Sequence, residues 1–396
     1  MDTLVHFQQE VVNGLEEKGC VVATFFDLKR AFDSVPHAGL LGVLRQGFAV
    51  PPVLLRWLHS YLTGRRQRVR VGSCFSDWRP VLSGVPQGSV LGPLLFAAYI
   101  NSVASLPFRG DAKVIMYADD LVLVQKVNAC PSQEAAIQYN INLIHYHFQT
   151  LLLTLHPTKT KFLIFSYSNS NLTFQLTIGE HRLEQVSYYK YLGVTFDSRL
   201  EFGRHAAIVS ASSKRKMFAI RRILRKSVDS QEVFHRLYKS VVLPSLLYAI
   251  EVWSPYSNRD MNLLESCNKL ACRMVLNNFC KFADYDALCT GALLPKIELL
   301  CNRRRVILLF QYYFGMRFCN DSLLTSRDNI TSSAVSTRSS NPLRLYNSFY
   351  RKDHSQNCFV YSAVQIWNFL LDNYLLCPMP FRAFRKIVSC ADFSQL

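Results

Sequence analysis

The stretch that most constrains this chain is Lys113 to Gln125, KVIMYADDLVLVQ. Two short apolar runs, Val114–Tyr117 and Leu121–Val124, flank one acidic break, Asp119-Asp120. Each run is rich in β-formers and too short to stand as a helix, so the pattern predicts a tight β-hairpin. Apolar arms on both sides predict strands buried on both faces. Adjacent carboxylates between buried strands repel each other and lose hydration, which raises their pKa values unless a cation neutralises them. Asp is also a good turn residue in its own right, and that plainer reading stays open on the hairpin alone.

A second carboxylate stands at the end of a comparable run. Val21 to Phe26 is continuously apolar and stops at Asp27, the pattern of a buried strand with a carboxylate at its tip. Between Asp27 and Asp119 lie 91 residues, enough for a β–α–α–β path that returns the chain to the same sheet. Helices are predicted over 37–47 and 52–63, divided by Pro51-Pro52. Ser83 to Asn101, SGVPQGSVLGPLLFAAYIN, places glycines and a proline before an apolar helix. Such a loop lets backbone approach a ligand, and it equally suits an ordinary loop-to-helix joint. Arg65 to Val71, RRQRVRV, alternates late on and predicts a strand with one charged face, whose simplest role is a charged edge. A helix over 132–153 and strands over 162–165, 173–178 and 188–196 follow. Beyond residue 203 the periodicity turns helical, over 204–226, 230–250, 258–278 and 293–316. A loop-rich section over 318–356, including the Ser/Thr-rich Thr331–Ser340, precedes a helix over 360–373.

Charge separates the halves. Residues 1–200 hold 18 Lys+Arg against 14 Asp+Glu, a net of +4; residues 201–396 hold 27 against 14, a net of +13. A basic half next to an acidic cluster suits a polyanion held near bound cations, with nucleic acid the leading candidate and a solvated basic surface the alternative. The densest basic stretches are Lys214 to Lys226 and Arg303-Arg304-Arg305. Twelve cysteines are scattered without a C-x-x-C, and Cys267 to Cys301 contains no His, which disfavours zinc and favours free thiols in an intracellular protein. The longest apolar run, Val90 to Ile100, is too short for a bilayer, so no membrane role is expected. Carboxylates from two strands suit hard cations such as Mg²⁺, and two such ions suit phosphoryl transfer.

The strings FFDLKRAFDSVPH, SGVPQGSVLGPLLF, YADD, KTKFLIF and YLG occur in this order. Together they resemble the palm motifs of reverse transcriptases, specifically those of non-LTR (LINE-like, Jockey-type) retrotransposons. The resemblance is strong over 1–200 and weaker through 201–396, where VLPSLLYAIEVWSP and AVQIWNFLL carry it. It implies an α+β fold: a palm of antiparallel sheet and packed helices with partial fingers over 1–200, a helical thumb-like region over 201–280, and a basic C-terminal region over 281–396. It implies an RNA-directed DNA polymerase that uses an RNA template, a DNA primer and dNTPs in the nucleus and cytoplasm. Asp27 and Asp119 would hold two Mg²⁺ (or Mn²⁺) ions, with Asp120 an auxiliary carboxylate. Phe32 would be the steric gate against a ribose 2′-OH. Gln87 and Gly88 would line the nucleotide pocket, Lys159 would assist the departing pyrophosphate, and Tyr191-Leu192-Gly193 would form the primer grip. Each has a plainer alternative: Phe32 and Tyr191 as packing residues, Gln87 as a loop amide, Lys159 as a solvated lysine. Only 26 residues precede Asp27, so an N-terminally truncated protein is expected, and a catalytically inactive remnant that only binds nucleic acid is the alternative function.

Overall fold

The computed structural model describes residues 1–128, 133–167, 172–224, 230–317, 343–345, 350, 353–374 and 379–393. The predicted Thr331–Ser340 loop, most of 318–356, and Arg225 and Lys226 of the basic helix lie outside the described residues. The chain divides into two compact units, one of Glu17–Ser187 and one of Met1–Glu16 with Tyr188–Leu396.

Helix α1 (Asp2–Lys18) leads into β1 (Gly19–Phe26), where every residue after Gly19 is buried. A 3₁₀ turn (Ala31–Asp33) follows, then α2 (His37–Gly47) and α3 (Pro52–Leu62). Pro51 and Pro52 separate the two helices, because proline is tolerated in a first helical turn and not inside a helix. The predicted strand Arg65–Val71 is two fragments, β2 (Arg66–Gln67) and β3 (Arg70–Val71), which pair with β5 (Arg79–Pro80) and β4 (Cys74–Phe75) in one exposed hairpin. Its charged residues give neither face a core to pack on. Next come α4 (Leu91–Ile100), β6 (Asp111–Tyr117), β7 (Asp120–Asn128), α5 (Glu134–Thr150) and β8 (Lys161–Ser166). Short strands β9 (Thr177–Ile178), β10 (His181–Arg182) and β11 (Glu184–Val186) end the unit, so the strand expected over 173–178 keeps only its last two residues.

The sheet runs β11-β8-β1-β7-β6. All its pairs are antiparallel except β11 with β8. One apolar cluster joins Val22, Phe26, Phe96, Ile141, Phe148 and Phe162, so α4 and α5 cover one sheet face. Truncating a buried ring such as Phe162 would cost about 3–5 kcal/mol. The two hairpin arms are not equal, as their symmetry had suggested. From Leu121 to Val127 β7 is buried at every position, whereas β6 is an edge strand whose only buried residue is Ile115.

The second unit begins at β12 (Tyr188–Tyr191) and β13 (Val194–Asp197). These form a hairpin where one strand over 188–196 was predicted: Leu192 (φ 46°) and Gly193 (φ 86°) turn the chain in two residues. Both central residues need positive φ, which makes this a primed hairpin turn. Helices α6 (Gly203–Leu224) and α7 (Ser230–Leu237) follow. The helix predicted over 230–250 then loosens into a π turn at Tyr238–Val242 and restarts as α8 (Leu243–Leu246), where Pro244 sits in its first turn. A further break puts Ala249 at φ 54° before α9 (Ile250–Trp253). α10 (Asn258–Leu276), α11 (Tyr285–Ala292), α12 (Ile297–Tyr313), α13 (Asp353–Gln356), α14 (Phe359–Tyr374) and α15 (Phe381–Cys390) complete the unit. Trp253, Phe310, Phe359 and Trp367 are fully buried here. α1 is stitched into the same unit: the Gln8 side chain donates to the Val252 carbonyl (2.8 Å) and accepts from the Phe359 N–H (3.1 Å). Among the described residues no helix is long and apolar enough to cross a membrane.

Candidate active site

Strand register builds the site. Phe26 pairs with Leu121 and Phe25 with Lys161, so one step further along β1 Asp27 faces Asp120 on one side and Lys159 on the other. Tyr117 pairs with Asp120, leaving Ala118 and Asp119 as the two-residue turn between β6 and β7. The ends of β7, β1 and β8 thus place Asp120, Asp27 and Lys159 in a row, with Asp119 at the adjoining turn. Ala118 holds φ 53°, a conformation that costs a non-glycine residue about 1–3 kcal/mol. Sheet pairing on both flanks holds the turn in that shape.

Asp27 is fixed through its backbone. Its carbonyl accepts from His156 N–H (2.7 Å), its N–H donates to Thr160 Oγ1 (3.4 Å), and Leu28 bridges Leu155. The His156 carbonyl in turn accepts from the N–H groups of Lys159 (3.1 Å) and Thr160 (3.0 Å), so one tight turn aims Lys159 at the carboxylate. Lys159 Nζ lies 3.5 Å from Asp27 Oδ2, in a pair open to solvent and therefore weak. The Asp120 carboxyl is held above the usual carboxylate range, first by desolvation and then by repulsion from Asp119 and Asp27. Asp119 and Asp27 are thus both within electrostatic reach of Asp120.

This donor set fits a hard divalent cation. Among the described residues no three His, Cys, Asp or Glu side chains converge tightly enough to close a metal cage. Mg²⁺ rarely uses such a cage; it is held by one or two carboxylates plus waters and substrate phosphates. A cation at the row would relieve the repulsion that raises Asp120.

A second cluster is joined to the first by the short link Leu28–Arg30. Phe32 lies in the 3₁₀ turn, half-buried, with its ring 4.5 Å from that of Phe96. The glycine-rich loop is laced onto this turn. Val85 N–H donates to the Phe32 carbonyl (2.8 Å), Ser83 Oγ to the Asp33 carbonyl (2.8 Å), and the Gln87 amide to Asp33 Oδ1 (2.8 Å). Gly84, at φ 91°, leaves no room for a side chain: a Cβ would sit 2.7 Å from Asp33 Cα. Gly92 is equally tight, since its Cβ would lie 2.6 Å from the Pro86 carbonyl oxygen. Gly88 has open space around it and is needed for its φ of 77°. Gln87 is therefore occupied as a loop tie, anchored by Asp33, which the sequence pattern had not marked as a site residue. Thr160 and His156 were also passed over; the spacing of HPTKT after a helix was their only trace.

Tyr191, Leu192 and Gly193 belong to the other unit. Tyr191 is buried, with its ring 5.2 Å from that of Phe7, and Leu192-Gly193 is the hairpin tip. Tyr248 braces that tip: its hydroxyl donates to the Leu192 carbonyl (3.1 Å), and its ring lies 3.0 Å from where a Gly193 Cβ would be. Nearby, His205 Nδ1 accepts from Thr195 N–H (3.2 Å), which requires a neutral ring, and burial followed by Lys190 depresses its pKa to about 4. The triplet Arg303-Arg304-Arg305 is not the basic outer face that its sequence suggested. Arg305 is buried, Arg304 pairs with Glu251 Oε1 (2.8 Å), and Arg303 donates to the Ser389 carbonyl (2.5 Å).

Residues 3–196 match the sequence model of the family described as reverse transcriptase (RNA-dependent DNA polymerase). The chain is 31% identical to a probable RNA-directed DNA polymerase from transposon BS of Drosophila melanogaster, over 67% of this chain and 30% of that protein. It is 28% identical to the RNA-directed DNA polymerase from mobile element jockey of Drosophila funebris, over 63% of this chain and 28% of that protein. The chain thus spans under a third of the length of these curated relatives. Among solved structures, a telomerase from Candida albicans is similar at 11% identity and a TM-score of 0.38, over 73% of this chain and 52% of that one. By the match over residues 3–196 and by these transposon relatives, the chain belongs to the reverse transcriptases of non-LTR retrotransposons.

Proposed function

We infer that this chain carries the polymerase centre of an RNA-directed DNA polymerase, one that extends a primer 3′-hydroxyl with dNTPs on an RNA template. The observation that carries the reading is the row of carboxylates at adjacent strand ends, with Asp120 raised first by desolvation and then by Asp119 and Asp27. Asp27 and Asp119 would hold divalent metal, Mg²⁺ by the hardness of the oxygen donors, with Asp120 beside them. Bound metal supplies activation of the attacking hydroxyl and neutralisation of charge on the phosphoryl group and its leaving oxygen.

The protein's own residues do the rest. The backbone bonds at Asp27 and the sheet register hold the carboxylates at fixed separation before substrate arrives, so no reorganisation is needed at the moment of reaction. Lys159, on its own tight turn, offers an ammonium to the departing pyrophosphate, as a charge or as a proton donor. The Phe32 ring, held against Phe96, would clash with a ribose 2′-hydroxyl. The Gly84–Gly92 loop would bring backbone close to the nucleotide. Tyr191-Leu192-Gly193 would steady the primer end, with residues 17–187 acting as palm and the helices from α6 onward as thumb.

Divalent-dependent primer extension on an RNA template tests the reading. Wild type should extend and Asp119→Ala should not; extension undiminished in Asp119→Ala would remove the site assignment. Phe32→Val should raise rNTP incorporation relative to dNTP by about 10-fold or more, equivalent to about 1.4 kcal/mol of lost discrimination. Unchanged sugar discrimination would return Phe32 to a packing role.

A further inference from the structure

The hairpin over 64–82 plays no part in the chemistry above, yet it is the most unusual surface of its unit. Every residue from Gly64 to Pro80 is exposed. Five arginines stand there against one acid, Asp77, a net of +4. Two-residue strand pairs with no core beneath them are marginal in water. Phe75 and Trp78 are nonetheless each 49% exposed, and Trp57 on the preceding helix is 52% exposed.

Arginines and rings are interleaved. The Arg68 guanidinium lies 3.9 Å from the Phe75 ring centre and 4.6 Å from that of Trp78. Arg65 lies 4.6 Å from the Tyr61 ring centre, and Tyr61 stacks on Trp57 at 5.6 Å and 12°. None of the five hairpin arginines is paired with a carboxylate among the described residues. Exposed cation–π contacts stabilise by only about 0.5–1 kcal/mol each, too little to account for so much bare apolar and cationic surface. Their geometry has a chemical consequence. A guanidinium over a ring can still present N–H groups at its edge, and that edge is what grips a phosphate; among the described residues Arg65 and Arg70 commit only their Nε–H groups, to the Tyr61 (2.6 Å) and Gly72 (2.9 Å) carbonyls. Exposed ring surface beside it is free to stack.

We propose that the hairpin over 64–82, together with Trp57 and Tyr61, binds single-stranded polynucleotide, phosphates on the arginine edges and unpaired bases on the aromatic faces. The net charge selects a polyanion, and the ring faces select an unpaired strand, because duplex bases are stacked on one another and present no face. The surface adds to the polymerase reading a contact to unpaired strand, and its own test does not require polymerase activity.

The experiment is equilibrium binding of the full chain, by fluorescence anisotropy, to a labelled 12-nucleotide RNA, the same sequence as DNA, the matching duplex, and an abasic strand of equal length. Trp78→Ala should weaken binding to both single strands about 10-fold. It should leave the duplex and the abasic strand unchanged, and Trp78→Phe should restore most of the loss. Arg68→Ala with Arg70→Ala should reduce the slope of log K against log salt by about 1.4, at about 0.7 per phosphate lost. These side chains are exposed, so unfolding midpoints should match wild type. Full single-strand affinity in Trp78→Ala would overturn the proposal. So would an abasic strand bound as tightly as one with bases, or polyglutamate or anionic vesicles displacing RNA at equal charge. Asp119→Ala should bind single strands normally; extension lost there with binding kept separates failure of the polymerase reading from failure of this one.

Discussion

The two units treat ionic charge in opposite ways. In the helical unit, Glu251 and Arg305 are both 6% exposed, and each is tied to partners, although Glu251 Oε2 is buried without a hydrogen bond among the described residues. Glu251 Oε1 accepts from Arg304, and Arg305 donates to the Glu251 carbonyl (3.3 Å) and the Asn357 carbonyl (3.2 Å). In the sheet unit, three carboxylates lie at adjoining, solvent-open strand ends, with one weak lysine partner on Asp27 at 3.5 Å. Buried charge that is tied by hydrogen bonds and an ion pair holds a scaffold together; clustered charge left unmet stores repulsion that a cation or substrate can relieve. The first kind should be costly to remove for stability and silent for chemistry. The second should behave the other way round.

The largest contrast is expected from Asp119→Ala and Arg305→Ala. Asp119→Ala should lower primer extension on the order of 10³-fold, about 4 kcal/mol in barrier, while leaving the metal-free unfolding free energy unchanged or slightly higher. Arg305→Ala should cost about 3–5 kcal/mol of stability by stranding buried carbonyls and opening a cavity. Denaturant unfolding with extension assays on whatever folded fraction remains checks both. If Asp119→Ala unfolds the chain, or if Arg305→Ala is stable and inactive, the division between scaffold charge and site charge is wrong.

Much of the sheet unit was legible in the sequence because its signals are local. Val21 to Phe26 ending at Asp27 is a strand and its tip, and the ADD break is a hairpin turn. The row Asp120–Asp27–Lys159 was not legible, since it depends on which residues pair across three strands that lie far apart in the chain. Asp33 escaped for the same reason: its partners, Ser83 and Gln87, lie 50 and 54 positions away. In the helical unit the failures were of another kind. Tyr188–Asp197 reads as one strand because its apolar pattern continues through Leu192, and only the positive φ of Leu192 and Gly193 reveals the turn. The arginine triplet reads as a basic face because counting charges cannot show that Glu251, more than 50 positions upstream, points at it.

A smaller effect tests whether the loop, and not the carboxylates alone, is built for the site. Gly84→Ala forces a side chain into φ 91° and against the backbone of Asp33. The backbone conformation alone costs about 1–3 kcal/mol. The strain falls on the bonds from Ser83, Val85 and Gln87 to the Phe32–Asp33 turn, so KM for dNTP should rise several-fold alongside the stability loss. Gly88→Ala, with open space at its Cβ, should show the conformational cost and a smaller change in KM. Equal effects of the two on KM would mean that loop docking does not shape the nucleotide site.

The smallest expected effect is the sharpest test of stored repulsion. The Asp120 carboxyl is raised above its ordinary value, so the folded state binds its proton more tightly than the unfolded chain does. Stability from this group is therefore present at low pH and is lost as pH rises through the raised pKa. Asp120→Asn removes the charge and should stabilise the metal-free protein at pH 7, by under about 1 kcal/mol because the group is exposed and screened. The gain should shrink as pH falls and wild-type Asp120 takes up its proton. Adding Mg²⁺ should erase or reverse it, since the cation stabilises wild type by relieving the same repulsion and binds the variant less tightly. Thermal unfolding of both proteins across pH 4–8, with and without Mg²⁺, reads all three signs. A variant that is less stable than wild type at pH 7 without metal would show that Asp120 is held by favourable partners, and the carboxylate row would then be scaffold charge like Glu251.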